Sequence, residues 1–387
     1  MKKAIIISVY LRMNQPQELP DLEGLKLAKR AIESLKILED QDFVLLLPVC
    51  LELSSGDQEV LLSEMDRFIR KELGYLRKGN TLIFSSYRLK NIREYLNDNH
   101  LKDFSSLIDL KGFSKIRNTG LLIAQALLMD VVIFIDNDEV VEDPHYLGIA
   151  CDYLDQEWNG KLVSGKGGFY VNPDGTILLP PRRLWWDFLW DKTKWMNRAW
   201  ERILSSRDRL VSASMVLGGN LVLHRSLFQT VPFDPCIPRG EDTDYLINAS
   251  RFGFIILFDK ELRIKHLHPE RTEVFFQDEL RGDIERFIYE REKIEEALDI
   301  DLDPYPGHFL KWTLYPKAMF TSLLLSFDYL LRREGRKAKE CIDNFNLIFR
   351  KYQGGWLKYL TFKGDWERVM EKIEKEGLDE ILEDCWI

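Results

Sequence analysis

Two acidic runs and a histidine pair are the residues whose types and spacing could do chemistry. Asp136-Asn137-Asp138 follows the apolar run Val131–Ile135. It therefore stands at the carboxyl end of an expected strand, where ligands of open α/β sheets bind. Two carboxylates so close are costly without a cation. Hard oxygen donors suit Mg2+ or Mn2+, which take one or two protein carboxylates and fill their shells with substrate phosphate oxygens, so a metal-bridged diphosphate follows. The competing reading is a solvated acidic turn in which an aspartate caps a helix before Pro144. The second run, Gly240-Glu241-Asp242-Thr243-Asp244, opens an apolar helix through Phe252. The helix dipole favours an acid there, and one could be a cap. A cap does not need three, and a carboxylate beside a metal-rich pocket stays ionised and can act as a general base. His266 and His268, in Arg263-Ile264-Lys265-His266-Leu267-His268, alternate on a strand and share a face. They are either metal ligands or a satisfied pair at a sheet edge.

The elements that must position these groups follow from periodicity. Ala4–Tyr10 and Phe43–Cys50 read as strands buried on both faces, and Leu22–Leu38 repeats apolar residues at three- and four-residue steps, a helix covering one face. Thr81–Ser85 and Val131–Ile135 read as strands, with helices over Leu89–Leu96 and Ile116–Leu128. This alternation predicts a mostly parallel sheet. Beyond residue 160 the chain becomes rich in glycine and aromatics. Strands are expected at Gly218–Leu223 and Gly253–Phe258, and a separate short one at Leu262–His266. After about Glu270, helical spacing predicts a separate helical layer.

Composition bounds the function. The chain has 387 residues, 45% hydrophobic and 12% aromatic, enough for a large core and against disorder. Lys and Arg number 54 against 63 Asp and Glu, so 54 − 63 = −9, and no global basic field exists to hold nucleic acid. Five scattered cysteines without C-x-x-C spacing suit a reducing compartment. Met1-Lys2-Lys3 begins like a signal peptide but lacks the longer apolar region. The expectation is a cytoplasmic protein, with peripheral membrane contact as an option.

The run Gly112-Phe113-Ser114-Lys115-Ile116-Arg117-Asn118-Thr119-Gly120, then Val131–Asp138, Gly218-Gly219-Asn220, Gly240-Glu241-Asp242 and His266, in that order, resembles GT-A fold glycosyltransferases of the family 2 type. The close match covers about residues 112–143 and 216–268. The resemblance implies an α/β, Rossmann-like GT-A domain over residues 1–270; it does not cover the tail, where helical spacing gives a helical C-terminal region over 271–387. It implies a metal-dependent transfer of a sugar from a nucleotide-diphosphate donor to a hydroxyl acceptor, with Mg2+ or Mn2+ as cofactor. Asp138 is then the expected metal ligand and Asp136 contacts ribose or metal, while His266 and His268 compete to complete the shell. Asp242 becomes the base of an inverting reaction, with Glu241 orienting it or binding acceptor. Ser8, Tyr10, Lys115 and Arg117 would face the nucleotide, and Gly218 and Gly219 would give the acceptor access to backbone. Relatives often end the second strand on an aspartate that reads the base; here Pro48-Val49-Cys50-Leu51-Glu52 leaves nucleotide identity open.

Three further features are ambiguous. Trp185, Trp186, Trp190, Trp195 and Trp200 crowd one segment, as an acceptor platform or as core; Arg182 and Arg183 before them suit an anionic acceptor or a solvated surface. Phe309–Leu331, ending in Arg332, Arg333, Arg336 and Lys337, reads first as a buried helix with a cationic last turn, and second as a segment lying on an anionic membrane that delivers a lipid-linked acceptor. Retaining GT-A enzymes that make small glycerate-type glycosides share the histidine ligand, so retention stays open. A nucleotidyltransferase would also gather Mg2+ and phosphates but should carry a Gly-rich loop after strand one, and Tyr10–Glu18 has no glycine. A sugar-binding protein with a dead site would show no metal-dependent thermal shift.

Overall fold

The computed structural model describes residues 1–13, 22–53, 58–76, 80–99, 101–180, 185–267, 275–295, 301–349 and 355–387. It is the α/β architecture with a helical C-terminal region that the periodicity predicts. The strands are β1 (Lys3–Met13), β2 (Val44–Leu53), β3 (Thr81–Ser85), β4 (Val131–Asp136), β5 (Glu139–Val140), β6 (Glu157–Trp158), β7 (Lys161–Val171), β8 (Leu210–Ser212), β9 (Leu221–His224) and β10 (Ile255–His266). They form one sheet in the order β3-β2-β1-β4-β9-β7-β10-β5, with β6 beside β7 and β8 beside β10. β1 runs parallel to β2 and β4; β9 is antiparallel to β4 and β7.

Ala4, Ile5, Ile6 and Ile7 are all fully buried because both faces of β1 are covered, which is why this strand reads as a continuous apolar run. Helix α1 (Leu22–Ser34) packs Leu25, Ala28 and Ile32 on the face of Ile5 and Ile7. Helix α2 (Phe113–Ala126) packs Ile116 and Leu121 on the face of Ile6. Gly120 lets it approach: a Cβ there would lie 3.0 Å from Ile6 Cδ1.

Two strand expectations from the sequence fail. The strands predicted at Gly253–Phe258 and Leu262–His266 are one strand, β10, with a register shift between Phe258 and Arg263. The charged break Asp259-Lys260-Glu261 misleads because Asp259 is buried, at 2.8 Å from Lys166 Nζ and 2.9 Å from Arg209 Nε. Residues Gly218–Asn220 form a 3-10 turn, and β9 begins only at Leu221.

The later helices are α3 (Lys192–Ser205), α4 (Glu241–Arg251), α5 (Phe275–Glu295), α6 (Leu314–Leu331), α7 (Gly335–Leu347) and α8 (Gly355–Glu376). A third core gathers Phe169 of β7 with Trp186, Trp190, Trp200, Phe287 and Phe309. Helix α6 is not the buried helix first expected, since Phe327 and Leu331 are 61% and 68% exposed. Helix α8 sends Phe362, Trp366 and Met370 into the core beneath α2. The last residues return to the sheet: Trp386 bridges Leu82, and Ile387 N donates to Thr81 O at 3.0 Å. Among the described residues no helix is long and apolar enough to cross a membrane.

Candidate functional site

β4 ends at Asp136, in register with Ser8 of β1, which continues beside β2 to Met13. The chain turns through Asn137 and Asp138 into β5, which pairs antiparallel with the end of β10 and sets Glu139 opposite His266. This pairing brings the first acidic run to the histidine. His266 Nε2 lies 3.1 Å from Asp138 Oδ2, and Leu267 N donates to Asp138 O at 2.9 Å. Asp138, Glu139 and His266 each offer one ligand atom, all within 4.8 Å of one another.

Glu139, which the sequence reading left unassigned, is fully buried. Its Oε2 accepts from Asp136 N at 2.9 Å and the Tyr170 hydroxyl lies beside the carboxylate, while Oε1 has no hydrogen-bond partner of good geometry among the described residues. Burial pushes its carboxyl well above the usual carboxylate range, and the Asp136 charge adds to the shift. A buried carboxylate oxygen without a donor is costly, and a cation shared with Asp138 and His266 would satisfy it. The donor set of two carboxylates and an imidazole suits Mn2+ or Mg2+, so these residues fit the expected metal. Asp136 is not in this group, and His268 lies outside the described residues.

Asp136 faces the other acidic run through Arg117. The Arg117 guanidinium, 6% exposed, places Nη2 3.1 Å from Asp136 Oδ1 and Nε 3.2 Å from Glu241 Oε1, and Nη1 donates to Gly218 O at 2.8 Å. It also lies over the rings of Phe134 and Phe233. Burial works against its charge, but Asp136 and Glu241 outweigh it and hold the side chain cationic. Its donors are thus committed to protein rather than turned outward to a nucleotide.

Gly240, at φ +71, turns the chain into α4, whose first turn holds Glu241, Asp242 and Asp244. The three acids part company. Glu241 pairs with Arg117. Asp242, half-buried, accepts from Gly218 N (3.1 Å) through Oδ2 and from Thr243 N (2.6 Å) through Oδ1. Asp244 turns away to Lys293 of α5 at 2.6 Å, which also holds Asp234 at 2.9 Å.

The glycine pair joins the two sides. A Cβ on Gly218 would lie 2.5 Å from Arg117 Nη2, and one on Gly219 would lie 2.4 Å from both carboxylate oxygens of Glu139. Only glycine permits both approaches. Tyr170 of β7 completes the wall: its hydroxyl accepts from Gly219 N at 2.7 Å and donates to Asp136 Oδ2 at 3.4 Å, and its ring packs on His266. Arg286 of α5 lies behind Gly240, bound to Glu290 at 2.8 Å, with Nη2 lacking a partner.

Other expected site residues are placed as follows. Ser8 and Lys115 are half-buried. Tyr10 keeps its ring 6.0 Å from Phe113, and its buried hydroxyl has no hydrogen-bond partner among the described residues. Trp186 is 6% exposed in the third core, whereas Trp185 is 50% exposed; Arg182 and Arg183 lie outside the described residues. Tyr170 and Arg286 escaped the sequence reading because an isolated aromatic in a strand and an arginine in a charged helix carry no local pattern. Glu139 adjoins the acidic run, and its register opposite His266 was the signal that could have found it.

No family model matches the sequence, and no curated protein matches it. Among solved structures, the chain is similar to the mannosyltransferase PcManGT from Pyrobaculum calidifontis in complex with GDP-Man and Mn2+. Identity there is 10% over 97% of this chain and 87% of that one, with a TM-score of 0.44. It is also similar to S. aureus TarS, at 13% identity over 90% of this chain and 55% of that one, TM-score 0.42. A third is glucosyl-3-phosphoglycerate synthase from Mycobacterium tuberculosis in complex with Mn2+ and UDP-Glc, at 15% identity over 74% and 78%, TM-score 0.37.

Proposed function

We propose that the chain is a divalent-cation-dependent glycosyltransferase that moves a sugar from a nucleoside-diphosphate donor to a hydroxyl acceptor with inversion, Asp242 being the base. One observation supports this above all. Consecutive residues Gly218 and Gly219 touch the two acidic sides of the cleft, Asp242 through the Gly218 N–H and Glu139 through the Gly219 Cα. Adjacent Cα atoms are about 3.8 Å apart, so a candidate base and a candidate metal site border the same glycine pair. Displacement at an anomeric carbon needs the incoming and departing oxygens on opposite sides.

Asp138, Glu139 and His266 would hold the cation, whose charge would offset that of the departing nucleoside diphosphate. Asp242 takes the proton of the acceptor hydroxyl as its oxygen bonds to the anomeric carbon, and the old C–O bond breaks with its electron pair passing to the diphosphate. The bonds from Gly218 N and Thr243 N fix the Asp242 carboxylate before the acceptor arrives. Arg117 holds Asp136 and Glu241 in place and offsets their mutual repulsion.

A panel of nucleotide sugars, read by thermal shift with Mn2+ and with chelator, identifies the donor. Incubation with hydroxyl acceptors should then release nucleoside diphosphate and give a product of inverted anomeric configuration. A retained configuration would sink the role of Asp242, and release of inorganic pyrophosphate would instead show nucleotidyl transfer.

A further inference from the structure

Helix α6 is built inside out. Its inward face carries Ala318, Thr321, Ser322, Leu325 and Ser326, all buried. Thr321 satisfies its hydroxyl on Lys317 O at 2.7 Å, and Ser326 on Ala338 O of α7 at 3.0 Å. Its outward face carries Phe320, Leu323, Leu324, Phe327, Leu330 and Leu331, all exposed. Those positions recur at three- and four-residue steps, so they make one continuous stripe. A helix facing water on that side would place serine and threonine outward and leucine and phenylalanine inward. An apolar stripe of this size on a water-facing surface marks a contact with something apolar.

The charges beside the stripe say what that is. Between residues 332 and 340, Arg332, Arg333, Arg336, Lys337 and Lys339 stand against Glu334 and Glu340, five against two, or +3 in a chain of net −9. The opposite end of α6 is preceded by exposed Lys311 and by Trp312, 73% exposed. Lys311 is ion-paired with Asp303 at 2.9 Å, so the net positive charge lies at the other end of the stripe, after Leu331. A two-fold copy of the chain laid parallel on the stripe would set one basic turn against the other. An anionic bilayer surface meets both features, taking the apolar face at the headgroup boundary and the arginines and lysines on its phosphates. A tryptophan beside such a helix suits the same boundary. The ion pairs that occupy most of these cations, Arg332 with Asp328, Arg336 with Glu340, Lys337 with Glu334 and Lys311 with Asp303, lie at the surface and hold them weakly.

From this geometry we infer that α6 and the basic turn after it dock the protein on an anionic lipid surface, with α6 lying in the plane of the membrane. Its inward face stays joined to the third core through Leu314, Ala318 and Leu325.

Flotation of the full chain with vesicles tests this. Vesicles of phosphatidylcholine with phosphatidylglycerol should carry the protein at low salt, and phosphatidylcholine alone should carry much less. The double variant Phe327→Gln with Leu331→Gln should bind at least about tenfold more weakly with an unchanged melting temperature, since both side chains are already exposed. Arg332→Gln with Arg333→Gln should lose about thirtyfold on anionic vesicles and little on neutral ones. The inference fails if the wild-type chain stays in solution with both vesicles, or if both double variants float as it does. It fails equally if light scattering shows a dimer that Phe327→Gln with Leu331→Gln converts to monomer without any vesicle binding, in which case a second copy covers the stripe.

Discussion

Arg117 makes the two acidic sides a single site. Without it, Asp136 and Glu241 would face one another uncompensated, and buried like charges are costly. Asp242 is tied to that frame only through backbone donors, so its chemistry can be removed without disturbing its surroundings. Asp242→Asn is expected to lower transfer by about 10²–10⁴ while leaving donor affinity nearly unchanged; isothermal titration with the donor, beside turnover, checks both halves, and lost donor affinity would reject the base assignment. Glu139 has the opposite character, being buried and lacking a donor on Oε1. Glu139→Gln keeps the shape, and Mn2+ affinity is expected to fall about 10- to 100-fold, measured by titration of the metal alone. Unchanged affinity would leave Glu139 as a neutral structural group. At this scale the acidic runs and His266 were legible in the sequence, because acids clustered at element ends are conspicuous. That Asp244 would turn from the cleft was not, since its partner Lys293 lies 49 residues downstream on a helix whose placement no local pattern encodes.

The elements show where periodicity succeeds and where it misleads. β1 to β4 could be read because burial on both faces leaves apolar runs. β10 was split because a buried charge network looks, in sequence, like a surface loop. The tryptophan segment takes the core reading for Trp186, Trp190 and Trp200: Trp186 and Trp190 precede the helix Lys192–Ser205 and Trp200 lies on it, all packed into the core that α5 and α6 complete. In the helical turn Gly307–Leu310 that precedes α6, His308 stacks on Trp195 with ring centroids 3.5 Å apart and accepts from Lys317 Nζ at 2.5 Å. Burial, together with Lys317, pushes its imidazole down to about 4. Because the folded value lies below the ordinary 6.5, the unfolded chain binds the proton more readily; the neutral ring's contribution is full above pH 6.5 and is lost as pH falls toward 4. Thermal melts between pH 7 and 4.5 should therefore fall more steeply for the wild type than for His308→Gln; parallel curves would place the acid sensitivity elsewhere.

At the scale of the whole molecule, the helical region is bonded into the sheet rather than appended beside it. Helical spacing made its elements legible but could not show that α8 crosses back beneath α2. Trp366 marks that return, fully buried with Nε1 donating to Phe228 O at 2.9 Å and its ring near Phe104. Trp366→Ala should cost about 3–5 kcal/mol, read by denaturant unfolding, with the site's metal affinity unchanged in the folded protein. A cost below about 1 kcal/mol would show that α8 packs loosely. Beyond α8, Trp386 and Ile387 lie along β3, the outermost strand on that side. An outermost strand offers unpaired amides and carbonyls to any neighbouring chain, and here the protein's own final residues occupy part of that row. Their loss would uncover a template for strand-to-strand association between molecules, so a chain trimmed at residue 385 should aggregate on storage well before it loses its fold.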